Sequence, residues 1–254
     1  MAVIEAAPPP AGAGARRLAW RQAEVVERVA ETHRATTLVL DVPGWPGHLA
    51  GQHVDVRLTA DDGYQATRSY SLAAPAVGSR LELTVQQVQD GEVSTYLTED
   101  AAAGDEVEVR GPLGGWFVWR PEDKAAVLLV AGGSGLVPLM AMVRARAEAG
   151  SRAPFRLVAS VRTPEDRLYA DELRRRRSED GGLDVTWVYT RGVPDGERRP
   201  PGRLTAADLA AHGWPPDFEP LVFVCGPTAF VEAAAALLVG AGHDPSRIRT
   251  ERFG

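Results

Sequence analysis

Arg68-Ser69-Tyr70-Ser71-Leu72 brings a cation, a flat ring and two hydroxyls together within five residues. On an extended chain Arg68 and Tyr70 point the same way. A guanidinium grips a pyrophosphate, a tyrosine ring lies against a planar heterocycle, and a serine hydroxyl can stand at a redox-active ring edge. A flavin dinucleotide needs all three. The same residues also read as a strand with an exposed arginine and a half-buried tyrosine.

Gly91-Glu92-Val93-Ser94-Thr95 opens a short helical candidate, Ser94 to Asp100. Free amides at a helix start, with Ser94 and Thr95 hydroxyls beside them, suit a phosphate. An ordinary serine N-cap is the plainer alternative. Gly132-Gly133-Ser134-Gly135 stands between an apolar run and a helical pattern, with Pro138 in the first turn. Glycines let a backbone approach a dinucleotide pyrophosphate, although the spacing is not that of the usual Rossmann fingerprint. Cys225-Gly226-Pro227 ends the last clear strand. In a doubly wound sheet that end faces the ligand crevice, although a lone cysteine is more often buried and inert.

Two kinds of element must position these motifs. From Trp20 to about Trp119 the pattern has period two: Val54, Val56 and Leu58 alternate with polar residues, as do Leu81, Leu83 and Val85. Turn signals at Pro43-Gly44, Asp62-Gly63 and Asp90-Gly91 separate the strands, which predicts an antiparallel barrel or sandwich. After Pro121 the grammar becomes strand–helix alternation. The apolar run Ala125–Ala131 precedes Leu136, Leu139, Met140 and Val143 at helical spacing, and the strands Phe155–Val161, Asp184–Tyr189 and Leu221–Val224 follow. Helices are expected at about Leu168–Arg177, Thr205–Ala211 and through Val231–Leu238. That alternation predicts a parallel, doubly wound sheet. The sequence divides into a flexible tail at 1–17, a first domain at 18–120 and a second at 121–254.

A net charge of −6 argues against nucleic-acid binding. One cysteine excludes an internal disulfide and a four-thiolate iron–sulfur cluster within this sequence. No apolar run is long enough to span a bilayer and no signal peptide is apparent, so a cytoplasmic protein without a membrane partner is expected. The histidines His33, His48, His53, His212 and His243 lack metal-ligand spacing, and no metal is expected. Arg174–Arg177 reads as a solvated helix end.

In this order and on these elements, the four motifs resemble the ferredoxin–NADP reductase superfamily, nearest to bacterial reductases of oxygenase and ferredoxin systems. The likeness runs from about Trp20 to the C-terminus. It implies a two-domain fold: an antiparallel β-barrel that binds FAD, followed by an α/β doubly wound parallel-sheet domain that binds NAD(P). By the same resemblance, Arg68 contacts the FAD pyrophosphate with Ser69 beside it, Tyr70 stacks on the isoalloxazine, and Ser71 lies near flavin N5. Gly91, Glu92, Val93 and Ser94 form the second phosphate contact. Gly132, Gly133, Ser134 and Gly135 lie under the NAD(P)H pyrophosphate, and Cys225, Gly226 and Pro227 line the nicotinamide. The ending Glu251-Arg252-Phe253-Gly254 matches one in which a glutamate and an aromatic sit at the flavin, although family members of the plant type end on tyrosine.

Thr190 and Arg191, with Arg203 and Arg162 in support, correspond to the 2′-phosphate contacts of members that take NADPH, so NADPH is implied over NADH. The implied reaction is direct hydride transfer from nicotinamide C4 to flavin N5, then single-electron delivery to a separate ferredoxin- or flavodoxin-type acceptor. Ser71, Cys225 and Glu251 would be the catalytic group, with Ser71 and Glu251 placing or relaying a proton. The clustered cysteines of an attached ferredoxin domain are not in the sequence, which favours a separate acceptor. Two other readings stay open. One is the reductase component of an oxygenase, or a free-flavin reductase, using NADH. The other is a non-catalytic FAD-binding subunit that bridges electrons.

Overall fold

The computed structural model describes residues 18–60 and 62–253; the expected tail and Gly254 lie outside them. Six strands form the first sheet: β1 (Arg21–Thr32), β2 (Ala35–Asp41), β3 (His53–Thr59), β4 (Gln65–Ser71), β5 (Arg80–Gln86) and β6 (Glu106–Leu113). Their order is β4-β3-β6-β1-β2-β5, with antiparallel pairings throughout. A bridge from Leu72 to Leu83 ties the two ends of that order together and rolls the sheet into a barrel. Period-two alternation sends Val25, Leu38, Leu40, Val54, Val56, Leu81, Leu83, Val107 and Val109 into its interior.

The second sheet contains β7 (Val127–Gly132), β8 (Phe155–Val161), β9 (Leu183–Tyr189), β10 (Leu221–Pro227) and β11 (Ile248–Phe253). The order β11-β10-β7-β8-β9 is parallel, and β7 is buried along its whole length. Leu136–Glu148 and Ala170–Glu179 (α2 and α3, following the short barrel helix α1 at Glu92–Thr95) border the core on one face. Ala206–His212 and Thr228–Gly240 (α4 and α5) border it on the other. The order in which strands are added reverses between β7 and β10, which run parallel, so the crevice opens at their carboxyl ends. Ala35, Ala50 and Ala73 of the barrel share one core cluster with Phe117, Trp119 and α2, so the lobes are packed together.

Three expectations shift. The barrel helix begins at Glu92, not Ser94, and passes into a π turn at Tyr96–Asp100. The third helix starts at Ala170, not Leu168, because Tyr169 takes a left-handed conformation (φ 53°) after a turn capped by Thr163 and Asp166. Strand β11 carries no buried residue, so its polar edge composition hid it from a search for apolar runs. No helix among the described residues is long and apolar enough to cross a membrane.

Candidate functional site

On the barrel, β3 pairs with β4 so that His53 faces Ser71, Val54 faces Tyr70, Asp55 faces Ser69 and Val56 faces Arg68. Arg68 is exposed, and among the described residues its side chain donates only to the carbonyl of its neighbour Thr67, at 2.8 Å. Beside it Tyr70 is half-buried against the barrel core, and burial pushes its hydroxyl up to about 12 against the opposing pull of Arg68. Ser69 points elsewhere: its hydroxyl donates to Asp55 at 2.6 Å, and Arg110 donates to the same carboxylate. Any contact from Ser69 to a ligand therefore falls to its backbone.

The Gly91 turn departs from expectation in one respect. Ser94 is buried, its hydroxyl accepting from the Val88 amide at 3.1 Å and donating to the Gly91 carbonyl at 3.1 Å. That hydroxyl closes the loop and is not offered to a phosphate. Glu92 and Val93 open α1 with amides that have no backbone acceptor, and the Glu92 side chain accepts from Tyr64.

Across the seam the crevice is built from backbone. Gly133 holds φ 56°, a conformation that favours glycine. A Cβ on Gly135 would overlap the Cys225 carbonyl oxygen, and one on Gly132 would stand 2.6 Å from the Phe230 ring. Gly226, at φ 157°, has the Gly132 Cα 3.1 Å from its Cβ position. Two glycines at neighbouring strand ends are thus pressed together under Phe230. The cavity beyond them, about 270 Å³, is lined by Gly132, Gly133, Ser134, Ser160, Val161, Arg162, Asp166, Leu168, Thr190, Pro227 and Phe230, with Thr32 and Gln86 from the barrel.

Arg162 in that wall is already paired with Asp166 at 2.9 Å, which holds the Asp166 carboxyl below its ordinary range against the opposing effect of burial. Arg191 and Arg203 are exposed and stand outside the lining. The Arg191 amide donates to the Arg162 carbonyl at 2.9 Å, so its backbone is anchored while its guanidinium has no partner among the described residues.

Cys225 requires a correction. It was expected to face the crevice, but its exposure is 0% and it belongs to the core cluster. Burial first, and the neighbouring Glu251 second, push its thiol well above the usual range. A neutral, enclosed thiol is a small apolar wall and not a nucleophile.

The two lobes meet at Glu251. Register places it beside Cys225 on β11, while its carboxyl reaches the barrel beside His53 and Ser71, which face each other across β3 and β4. Burial raises that carboxyl to about 7, and the Ser71 hydroxyl opposes the rise. His53 Nδ1 stands 3.8 Å from Glu251 Oε1, and burial lowers its imidazole. Phe253 lies two residues further along β11, 40% exposed and in register with Pro227.

The structure therefore joins Ser71 to Glu251 and gathers Gly132–Ser134, Arg162, Thr190 and Pro227 around one cavity. His53 and Phe230 were missed. The signal for His53 is strand pairing with Ser71, which no local pattern contains. Phe230 could have been found in the first turn of the helix after Gly226-Pro227.

Residues 22–118 match the oxidoreductase FAD-binding domain and residues 129–236 the oxidoreductase NAD-binding domain. The glycine betaine monooxygenase reductase subunit of Chromohalobacter salexigens is 34% identical over 207 residues, covering 80% of this chain and 55% of the relative. The reductase component of the naphthalene 1,2-dioxygenase/salicylate 5-hydroxylase systems of a Ralstonia species is 30% identical over 203 residues, covering 80% of this chain and 60% of the relative. The chain thus spans little more than half the length of these curated relatives. Among solved structures, the Amycolatopsis cytochrome P450 reductase superposes with a TM-score of 0.78 at 28% identity, covering 93% of this chain and 71% of that one. With both domains matched in order and the barrel and parallel sheet in place, the chain belongs to the ferredoxin–NADP reductase superfamily.

Proposed function

We propose that this chain is the flavin-bearing electron-transfer portion of an oxygenase reductase, drawing on NADPH and delivering electrons one at a time to a separate iron–sulfur or oxygenase partner. The single observation that carries the reading is the approach of Glu251 on β11 to the barrel, its carboxyl 3.8 Å from His53, the strand partner of Ser71, which brings the barrel and the α/β lobe together at one point. The residues present fit the two groups. Arg68 and the Glu92 and Val93 amides offer donors to an FAD pyrophosphate, Tyr70 offers a ring, and Gly132 and Gly133 present bare backbone to the cavity in which a nucleotide would lie. Bound FAD supplies the conversion of a two-electron donor into single electrons.

The protein's own part is positional. Tyr70, backed by the barrel core, fixes a ring plane, and Phe230 holds Gly132 and Gly226 together at the cavity floor. Ser71 lies on the barrel beside Glu251, whose carboxyl, at about 7, can hold or release a proton at neutral pH. Relatives named as reductases of monooxygenase and dioxygenase systems favour an oxygenase partner over the ferredoxin or flavodoxin reductase that the motifs first suggest.

The NADPH preference is supported by Thr190 in the cavity wall and the unpaired guanidinium of Arg191 next to it, a fixed cation for a 2′-phosphate. The one carboxylate in the wall, Asp166, is engaged by Arg162 and Thr163 and is not free for ribose hydroxyls. Anaerobic titration of the yellow protein tests both parts. Bleaching at a lower concentration of NADPH than of NADH is expected, followed by reoxidation on adding an oxygenase or its iron–sulfur carrier. A yellow protein that neither nucleotide bleaches would make the chain an electron bridge instead.

A further inference from the structure

Helix α2 begins at Leu136, directly after the glycine loop, so the loop and the helix move as one piece. Arg144 stands about two turns further on, roughly 12 Å along the axis. Its side chain is only 14% exposed, and its partners lie on both lobes. In its own lobe it donates twice to Glu172 of α3, at 3.1 and 2.6 Å, and lies 5.1 Å above the Tyr169 ring. In the barrel it donates to Glu82 of β5 at 2.8 Å and to the Ala73 carbonyl at 3.1 Å. Ala73 follows Ser71 by two residues, and its amide donates to the Glu82 carbonyl at 2.8 Å. The chain leaving β4 is thus held between β5 and a residue of the opposite lobe.

A second set of bonds fastens the same seam. A carboxylate only accepts, so Glu31 fixes the direction of a chain in which Tyr169 donates to Thr84, Thr84 to Thr37 and Thr37 to Glu31. The Tyr169 amide donates to Glu31 at 3.4 Å and closes the circuit. Tyr169 keeps a left-handed conformation there, which a bulky residue does only where its surroundings over-determine it. Arg146 provides the contrast. It lies two residues along the same helix and is 4% exposed, yet its partners, Asp180 and the Ala153 carbonyl, belong to its own lobe. Arg146 ties the α/β lobe to itself; Arg144 ties it to the strand that carries Ser71.

We propose that Arg144 is a positioning residue for hydride transfer: through α2 it sets the glycine loop, and the nicotinamide held there, at a fixed distance from the β4 strand that holds the flavin. It touches neither ring. The inference rests on the proposed reaction and adds what registers its two halves. A misplacement of about 1 Å between reacting atoms costs on the order of 100-fold in rate. Affinity is less sensitive, because contacts to a dinucleotide are spread along its length.

The test compares Arg144→Met with Arg146→Met in the FAD-loaded protein. Each removes a largely enclosed guanidinium, so each is expected to lower the unfolding midpoint. Only Arg144→Met is expected to slow anaerobic flavin reduction at saturating NADPH, by about 100-fold, with the NADP+ dissociation constant and the flavin spectrum unchanged. The long-wavelength absorbance of stacked nicotinamide and flavin is expected to fade in that variant alone, and the Ala73 amide to exchange faster with solvent. Arg144→Lys, which keeps the charge but not the planar fork, is expected to recover part of the rate. If Arg144→Met does not fold, Glu82→Gln carries the same comparison, with a smaller loss of about tenfold. Wild-type reduction rates in these variants would overturn the inference and leave the proposed function standing. Equal slowing in Arg146→Met, or a loss of NADP+ affinity matching the loss of rate, would also overturn it. Wild-type protein that neither nucleotide reduces would overturn the proposed reaction and the inference together.

Discussion

The two lobes build their halves of the cleft by different physics. In the α/β lobe the shape is set by backbone in contact: Gly135 against the Cys225 carbonyl, and Gly132 and Gly226 under Phe230. In the barrel the site residues stand on β4 as separate side chains: Ser69 donates to Asp55, and Ser71 stands beside Glu251. One half has no room for a methyl group; the other is a series of separable bonds. A packed backbone fails all at once, whereas a polar row degrades one function at a time.

The largest effect expected from this contrast is at Gly135. Its φ of −59° is open to any residue, so only space forbids a side chain there. Gly135→Ala forces a methyl group into the Cys225 carbonyl, and backbone cannot yield as a flexible side chain does. Overpacking of this kind costs about 3 kcal/mol. Gly150 provides the control: it holds φ 57° with nothing near its Cβ position, so alanine there meets only backbone strain, about 1 kcal/mol. Denaturant unfolding of both variants separates the cases. Equal losses would remove the claim that contact, and not conformation, fixes the loop.

A smaller effect, readable as pH dependence, is expected where the halves join. Burial lifts the Glu251 carboxyl from 4.5 to about 7, with the Ser71 hydroxyl opposing. A raised carboxyl is protonated more readily folded than unfolded, so its stabilisation is complete below the unfolded value and is lost as pH rises through about 7. Asp208 behaves in the opposite sense. Burial would raise it, but Arg199 and Thr205 outweigh burial and hold it at about 2, so its contribution is present above 3.8 and lost as pH falls towards 2. Glu251→Gln is expected to flatten the stability curve between pH 5 and 7 and to remove an ionisation near neutrality from the rate of flavin reduction. The acid limb, which Asp208 governs, stays. A rate profile unchanged in Glu251→Gln would separate Glu251 from the proton step.

The same contrast explains what could be read from the sequence. The barrel and the parallel sheet are legible because burial imposes a period, two in β3 and β5 and a continuous apolar run in β7. The glycine loop is legible because its composition is rare outside close approaches. Strand β11 is not, since an edge strand with no buried residue leaves no apolar signature. Cys225 misled because a position in the chain states which element a residue ends, not which way its side chain faces; the thiol turns into the core while its carbonyl meets Gly135. His53 and Arg144 are invisible for another reason. Each becomes relevant only through a partner on the other lobe, Glu251 for the first and Glu82 for the second.

Ser69 carries the smallest expected effect and sharpens the contrast within one strand. It lies between Arg68 and Tyr70, yet alternation turns its hydroxyl away to Asp55, at 2.6 Å. Arg110 also holds Asp55, from 2.6 Å, so removing the Ser69 hydroxyl leaves that carboxylate satisfied. Ser69→Ala should therefore cost about 1 kcal/mol, the net worth of one hydrogen bond, with flavin retained and its reduction rate unchanged. Ser71→Ala, two residues along, removes the hydroxyl that lowers the Glu251 carboxyl and is expected to slow reduction and raise the neutral ionisation while stability barely moves. Ser69 and Ser71 share one face of β4, so reduction rates and unfolding midpoints for the pair separate two positions along it: the one at Asp55 holds the barrel together, and the one at Glu251 serves the cleft. If Ser69→Ala slowed reduction as much as Ser71→Ala, the bond to Asp55 would be part of the flavin site, and position along β4 would no longer divide structure from function.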